Sequence, residues 1–269
     1  MSHALACLDL IKEVLMQPPF GLITDVDGTI SPTAPTPKQA KVSPLCRQYL
    51  SLLCNHLALV AAVSGRPAVE VKNMIGIDEM LYIGNHGMER WKEGHSEYTR
   101  EAQAYSNVIK AAIEELNRLL SIEGTYIENK GVTATIHYRL CPEPQSAKKQ
   151  ILTTVENSPQ LNKLRIVPGR MSINLLPPIE ANKGTAVLNL IREYNLRSGI
   201  YLGDDVTDID AFRAIHAASL DSSFYGFAIG VISRETPAKL TAEVDFTLDG
   251  VSDVEHFLQW MSETAPQLS

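Results

Sequence analysis

The stretch LITDVDGTIS, residues 22–31, decides how the rest of the chain is read. Apolar residues run into Thr24, two aspartates follow at Asp25 and Asp27, and Gly28 with Thr29 turns the chain at once. A carboxylate is costly to bury, so acidic residues rarely end an apolar run without a compensating partner. Phe20 to Thr24 therefore reads as a short buried strand that delivers Asp25 and Asp27 to its carboxyl end. What else arrives at that end becomes the central question.

Outward from this strand, short apolar runs recur at 57–63, 80–83, 200–202, 227–231 and 244–247. Helical patterns lie between them: Leu5, Leu8, Ile11 and Leu15 before Pro18 and Pro19, then residues 44–55, a helix opened by Pro67, a face of Val187, Leu190, Ile191 and Tyr194, and a last face of Val251, Val254, Leu258 and Met261. Buried strands alternating with helices imply parallel β-α-β units. The middle of the chain differs. A long amphipathic helix over 105–120 precedes a hairpin of 125–127 with 132–138 about Asn129, Lys130 and Gly131. A polar helix over 144–156 precedes a second hairpin, 164–167 with 171–175, about Pro168, Gly169 and Arg170. Hairpins require antiparallel pairing. The expected fold is α/β, a Rossmann-like parallel-sheet core with an inserted α+β cap domain. The core takes residues 1–102 and 179–269, and the cap takes 103–178.

Composition narrows the function classes. The 269 residues are 45% hydrophobic and 20% charged, ordinary for a globular chain, with a formal net charge of -7. No basic run supplies the phosphate-neutralising charge that nucleic-acid binding needs. The longest apolar run, 57–63, is too short to span a bilayer. The start of the chain lacks a basic segment followed by a long apolar one, so no signal peptide is expected. Cys7, Cys46, Cys54 and Cys141 form neither a C-x-x-C pair nor a zinc spacing, and read as reduced thiols. These features point to a cytoplasmic monomer that binds neither nucleic acid nor membrane.

In open parallel sheets, ligands collect at the carboxyl ends of the strands. Asp25 and Asp27, then Ser64-Gly65-Arg66, then Lys183-Gly184, then Gly203-Asp204-Asp205 with Asp208 all fall at strand ends or helix starts. If the sheet gathers them, five carboxylates meet at one point and need positive compensation. A magnesium ion suits hard oxygen ligands and keeps waters that a phosphate can replace.

These residues, D-x-D-G-T, Ser64, Lys183 and G-D-D-x-x-D in that order, resemble the four motifs of the haloacid-dehalogenase superfamily of aspartate-nucleophile phosphatases. The insertion between Ser64 and Lys183 lies where larger caps occur in that superfamily. The segments SGRP, GNHGMER, ENKGVTATIHYR, KGTAVLNLI and GDDVTDIDAF are similar to the trehalose-phosphatase family. One position departs from it. Similar proteins carry a glutamate five residues after the glycine of the second cap hairpin, where this chain has Asn174 in GRMSINLLP.

The resemblance implies roles. Asp25 attacks phosphorus and also binds magnesium; Asp27 protonates the departing oxygen, with its backbone carbonyl on the metal. Ser64 holds a phosphate oxygen, helped by Gly65, Arg66 and the start of the following helix. Lys183 neutralises charge on Asp25 and the phosphoryl group. Asp204 binds magnesium directly, and Asp208 or Asp205 completes the set or orients a water or Lys183. His86 and Glu89 face the mouth of the site or serve their turn alone. In the cap, Glu128 and Lys130 match a sugar-contacting pair or are an ordinary hairpin tip. Asn174 completes the substrate set, and Arg139, on a strand face with Thr133, Thr135 and His137, joins it or simply faces solvent. Trp91 and Trp260 read as packing residues. The implied reaction is magnesium-dependent hydrolysis of a small-molecule sugar phosphate, trehalose 6-phosphate foremost. Another sugar phosphate of the sucrose or mannosylglycerate type is the alternative that Asn174 favours. A non-catalytic sugar-phosphate sensor is a third, against which the intact Asp25, Asp27 and Lys183 speak.

Overall fold

The structure is a computed structural model that describes residues 2–169, 171–220, 223–233, 236 and 238–268. Its strands, in chain order, are β1 (Ser2–His3), β2 (Phe20–Thr24), β3 (Leu59–Val63), β4 (Leu81–Gly84), β5 (Glu89–Lys92), β6 (His95–Tyr98), β7 (Tyr126–Asn129), β8 (Ala134–His137), β9 (Arg165–Gly169), β10 (Ser172–Leu176), β11 (Ser198–Gly203), β12 (Tyr225–Ile232) and β13 (Phe246–Asp249). They form two sheets, ordered β1-β13-β12-β11-β2-β3-β4-β5-β6 and β7-β8-β10-β9. The chain divides into two compact units, residues 1–96 with 181–269, and residues 97–180. No helix among the described residues is long and apolar enough to cross a membrane.

In the first unit β1 to β4 and β11 to β13 run parallel, and the β4–β5 pairing turns antiparallel at the sheet's edge. Strands covered on both faces cannot alternate apolar with polar, and β2, β3 and β11 are buried throughout. Leu22, Val60, Ala62, Ile200 and Leu202 face one layer, packed on Ile11, Leu50, Phe257 and Leu258 of three helices. Their neighbours Ile23, Ala61, Val63 and Tyr201 face the other, on Val187, Leu190, Phe212 and Ile215. Each large side chain buried this way contributes roughly 1.5–3 kcal/mol, so the two layers clamp the sheet. Trp91 and Trp260 pack at the edge of the first layer. The strand order continues from β2 to β3 and β4 on one side and from β11 to β12 and β13 on the other. The crevice between β2 and β11 is thus the switch point at which such sheets bind ligands.

The second unit is antiparallel throughout. Ile136, Ile173 and Leu175 face helices Ser106–Leu119 and Pro144–Glu156, whose Ile109, Leu116, Ile151 and Val155 complete its core. The opposite face is polar. Glu128 pairs with Thr135 across β7–β8, and Thr135 with Asn174 across β8–β10, so the three form one row.

The structure adds one element, moves one residue and keeps the second cap hairpin. Residues 89–98 form a hairpin, β5 and β6, with Glu93 at φ 50° and Gly94 at φ 87° in its turn. Half of its residues are charged, so period-two hydrophobicity cannot reveal it. Arg139 does not share the face of Thr135 and His137: β8 ends at His137, and a turn follows in which Cys141 N–H donates to the Tyr138 carbonyl (3.2 Å). The second cap hairpin is present as β9–β10, with Arg170 of its expected turn outside the described residues.

Candidate active site

The Asp25 N–H extends the β2–β11 ladder by donating to the Leu202 carbonyl (2.8 Å). That bond continues the Leu202–Thr24 register by one residue, placing Asp25 opposite Gly203 and next to Asp204. Past Gly203 the chain turns tightly; a Cβ there would lie 2.5 Å from Cγ of Asp208. Asp208 is fully buried and accepts four hydrogen bonds. Its Oδ1 takes Lys183 Nζ (2.7 Å) and the Tyr201 hydroxyl (2.6 Å), and its Oδ2 takes the N–H groups of Asp204 (3.0 Å) and Asp205 (2.9 Å).

Lys183 begins helix Lys183–Glu193, whose Asn182 N-cap exchanges hydrogen bonds with Thr185. Gly184 brings this helix close to the neighbouring one, since a Cβ would lie 2.3 Å from the Asp210 carbonyl oxygen. The ammonium thereby reaches Asp25 Oδ1 at 2.7 Å while also holding Asp208.

Asp25, Asp204 and Asp208, at 4%, 1% and 0% exposure, each offer a carboxylate oxygen within 4.8 Å of the others. Burial pushes the Asp25 carboxyl up to about 7; Lys183 opposes this and Asp208 adds to it. Burial alone would lower the Lys183 ammonium, but Asp208 and Asp25 hold it above its ordinary value. Tyr201 is raised by burial and then by Asp208, so it stays a donor. When ionised, three carboxylates against one ammonium leave two negative charges among hard oxygen donors. That donor set fits a divalent cation of the magnesium type.

Beside this cluster lies a second block. Ser64 N–H donates to the Ile83 carbonyl (2.9 Å), and Ser64 Oγ accepts from Arg66 N–H (3.2 Å). The Arg66 guanidinium grips both oxygens of Asp27, Nε to Oδ2 at 2.5 Å and Nη2 to Oδ1 at 2.8 Å, and reaches the Pro37 carbonyl (3.1 Å). The Asp27 carboxylate is thus on Arg66, apart from the three-carboxylate cluster. Gly65 lies under the His86 ring, 2.6 Å from where its Cβ would stand. His86, at φ 57°, is buried, and its N–H donates to the Ser64 carbonyl (2.9 Å). Glu89 points inward and accepts from Ala68 N–H (3.0 Å) and the Asn85 amide (2.6 Å).

In the second unit, Glu128 Oε2 meets His137 Nε2 at 2.8 Å and Lys130 Nζ at 3.5 Å. His137 stacks on Tyr126 at 5.8 Å between ring centroids. Asn174 Oδ1 accepts from the Thr135 hydroxyl at 2.8 Å. Arg139 is half-buried in its turn. Sequence reading missed Tyr201, Asn85 and the Arg66–Asp27 pairing. Tyr201 had a legible signal: a hydroxyl in a fully buried strand must find a partner.

Comparison with known proteins follows the same lines. A model of the trehalose-phosphatase family matches residues 23–246. The chain is 28% identical to probable trehalose-phosphate phosphatase 3 of Oryza sativa, over 95% of this chain and 73% of that one. It is 30% identical to the trehalose-phosphate phosphatase of Mycobacterium leprae over 96% of its length, and spans only 61% of that protein. Its fold is shared with the C-terminal domain of Candida albicans trehalose-6-phosphate phosphatase, at TM-score 0.75 and 19% identity, covering 94% of this chain and 96% of that one.

Proposed function

The chain belongs to the trehalose-phosphatase family, and from that premise we propose that it hydrolyses a sugar phosphate, trehalose 6-phosphate foremost, through a phosphorylated Asp25. The observation that carries the reading is the buried Asp25–Lys183–Asp208 chain beside Asp204, with a second carboxylate, Asp27, held two residues from the nucleophile. A structural ion pair needs one carboxylate; this site buries three around one ammonium, an arrangement suited to phosphoryl chemistry.

Asp25, Asp204 and the Asp27 backbone carbonyl would hold a magnesium ion, which would spread the negative charge of the phosphoryl group. Asp25 then attacks phosphorus. Its bond to phosphorus forms as the bond to the sugar oxygen breaks, and Asp27 gives that oxygen a proton. In the second step Asp27 takes a proton from water, which attacks phosphorus and releases inorganic phosphate from Asp25. Both Asp27 oxygens are engaged by Arg66, so proton delivery requires one of those hydrogen bonds to open. Lys183 keeps Asp25 aligned and offsets charge as it builds. Ser64, whose oxygen already accepts from Arg66 N–H, has its hydroxyl hydrogen to donate to a phosphate oxygen. Glu128, Lys130 and Asn174 supply the polar groups for sugar hydroxyls.

A second reading, another sugar phosphate as best substrate, is favoured by Asn174. With its carbonyl oxygen on Thr135, the amide offers its NH2 group, a donor where a carboxylate would only accept. The test is phosphate release over a panel of disaccharide and monosaccharide phosphates, with magnesium and with chelator. Magnesium-dependent release is expected, greatest for a disaccharide phosphate. Undiminished release in chelator overturns the mechanism.

A further inference from the structure

We infer that Glu89 is a positioning residue for the proposed phosphoryl transfer, acting on Ser64, Arg66 and Asp27 through the 84–87 turn without touching substrate, an inference that rests on the reading of the site above. Glu89 is 2% exposed, and both of its hydrogen bonds end on one oxygen. Oε2 accepts from Ala68 N–H at 3.0 Å and from the Asn85 amide at 2.6 Å. The first bond satisfies a donor at the start of helix Ala68–Ile75, whose N-cap position is Pro67 and supplies no side-chain cap. A carboxylate at a helix N-terminus is also favoured by the helix dipole.

The second bond fixes Asn85 in the left-handed region, at φ 48°. Asn85 N–H donates to the Arg66 carbonyl (2.8 Å), and His86 N–H to the Ser64 carbonyl (2.9 Å). The fit leaves no slack: a Cβ on Gly84 would lie 2.3 Å from Ala68 N and 2.8 Å from the Arg66 carbonyl oxygen. From this lock Arg66 extends its guanidinium to Asp27. One chain of contacts therefore runs from Glu89 through Asn85 and the Arg66 backbone to the carboxylate that carries the proton. Removing Glu89 strips the helix start of its acceptor and unpins the turn, and the Arg66 main chain gains room to shift.

The remaining oxygen, Glu89 Oε1, is buried and makes no hydrogen bond among the described residues. It separates two roles. A Glu89 that gripped substrate would need Oε1 or its charge, whereas a positioning Glu89 needs only Oε2. Glutamine keeps one acceptor oxygen and places its NH2 group on the idle side.

Steady-state phosphate release by the full chain, with magnesium, on trehalose 6-phosphate and on p-nitrophenyl phosphate reads the difference. Glu89→Ala is expected to lower kcat about 10- to 100-fold on both substrates, as displaced catalytic groups do, and Glu89→Gln to stay within about threefold of wild type. In an Arg66→Ala background, Glu89→Ala is expected to cost less than about threefold, because the two act in one chain. Should Glu89→Ala fail to fold, Asn85→Gly keeps the left-handed backbone, deletes the same link, and is expected to show the same loss. The inference is overturned if Glu89→Gln falls as low as Glu89→Ala, if Glu89→Gln raises KM for trehalose 6-phosphate alone, or if the losses in the two backgrounds multiply in full. The Arg66 Nε–Hε resonance gives a readout free of turnover. Glu89→Ala must shift it or speed its exchange, and an unchanged signal overturns the inference. An inactive wild type would defeat the phosphatase reading instead, and the resonance would still judge Glu89.

Discussion

The acidic end of the parallel sheet and the polar face of the second unit's sheet are both made of buried polar side chains, but they are held in different ways. At the acidic end the main chain does the holding. Asp208 takes two backbone N–H groups, Asp25 is pinned by its own N–H to Leu202, and Gly203 and Gly184 exclude any side chain. On the polar face the holding is side chain to side chain: Thr135 to Asn174, and His137 and Lys130 to Glu128. A group held through the main chain keeps its place even when its side chain is exchanged. A side-chain pair can be swapped within a fixed sheet. On the proposed reading, the first region carries the chemistry and the second an adjustable recognition.

Replacing Asp25, the proposed nucleophile, strikes the rigid region hardest. Asp25→Asn is expected to reduce kcat on the order of 1000-fold or more with the fold unchanged, since a weak nucleophile replaces a strong one. Residual turnover of a tenth or more, with native circular dichroism, would remove Asp25 from that role. On the adjustable side, Asn174→Glu is expected to change the ratio of kcat/KM between trehalose 6-phosphate and other sugar phosphates by about tenfold or more, a mispaired polar group costing about 1–3 kcal/mol. Its kcat on p-nitrophenyl phosphate, which has no sugar, should hold within about twofold of wild type. A parallel fall on both substrates would erase the proposed division of labour.

Tyr201→Phe tests the support behind the rigid region. Asp208 keeps three donors and loses one, so urea unfolding should report a loss of about 1.5–3 kcal/mol, the usual worth of a hydrogen bond to a charged group. An unchanged midpoint would mean that the hydroxyl contributes nothing to holding Asp208. The smallest effect is in pH. The Asp25 carboxyl moves from 3.8 up to about 7 in the folded protein, so its protonated form is favoured by folding. Its contribution is fully present below its unfolded value and disappears as pH rises through the folded one. In chelator, the melting temperature of wild type relative to Asp25→Asn should therefore decline by a few degrees between about pH 4 and pH 7. Magnesium should remove that decline; a flat difference in chelator would show that burial does not govern Asp25.

Much of the acidic end was legible in the chain because each of its parts stands where periodicity stops. Apolar runs end at Asp25, Ser64 and Asp204, and a helix starts at Lys183. What stayed hidden was the partnership. Nothing in local pattern says that Arg66 grips Asp27, that Tyr201 supports Asp208, or that Glu89 turns inward to a helix start. These contacts join elements whose proximity only the sheet order defines. The β5–β6 hairpin escaped for a different reason, its charged residues carrying no alternation. Arg139 was misplaced because β8 stops at His137, one residue before its expected end, and the chain turns there.

The bond from Asp25 N–H to the Leu202 carbonyl has a consequence for how the protein comes into being. It joins positions 177 residues apart (202 minus 25), and the 97–180 unit is inserted between them. On a ribosome Asp25 emerges before the inserted unit, and Lys183, Asp204 and Asp208 are still unmade while that whole unit is being synthesised. Such remote pairings are slow to form. On the proposed mechanism a nascent chain is thus chemically silent until Lys183 and Asp204 have been added, and products truncated before them, however well their first strands fold, carry Asp25 with nothing to arm it.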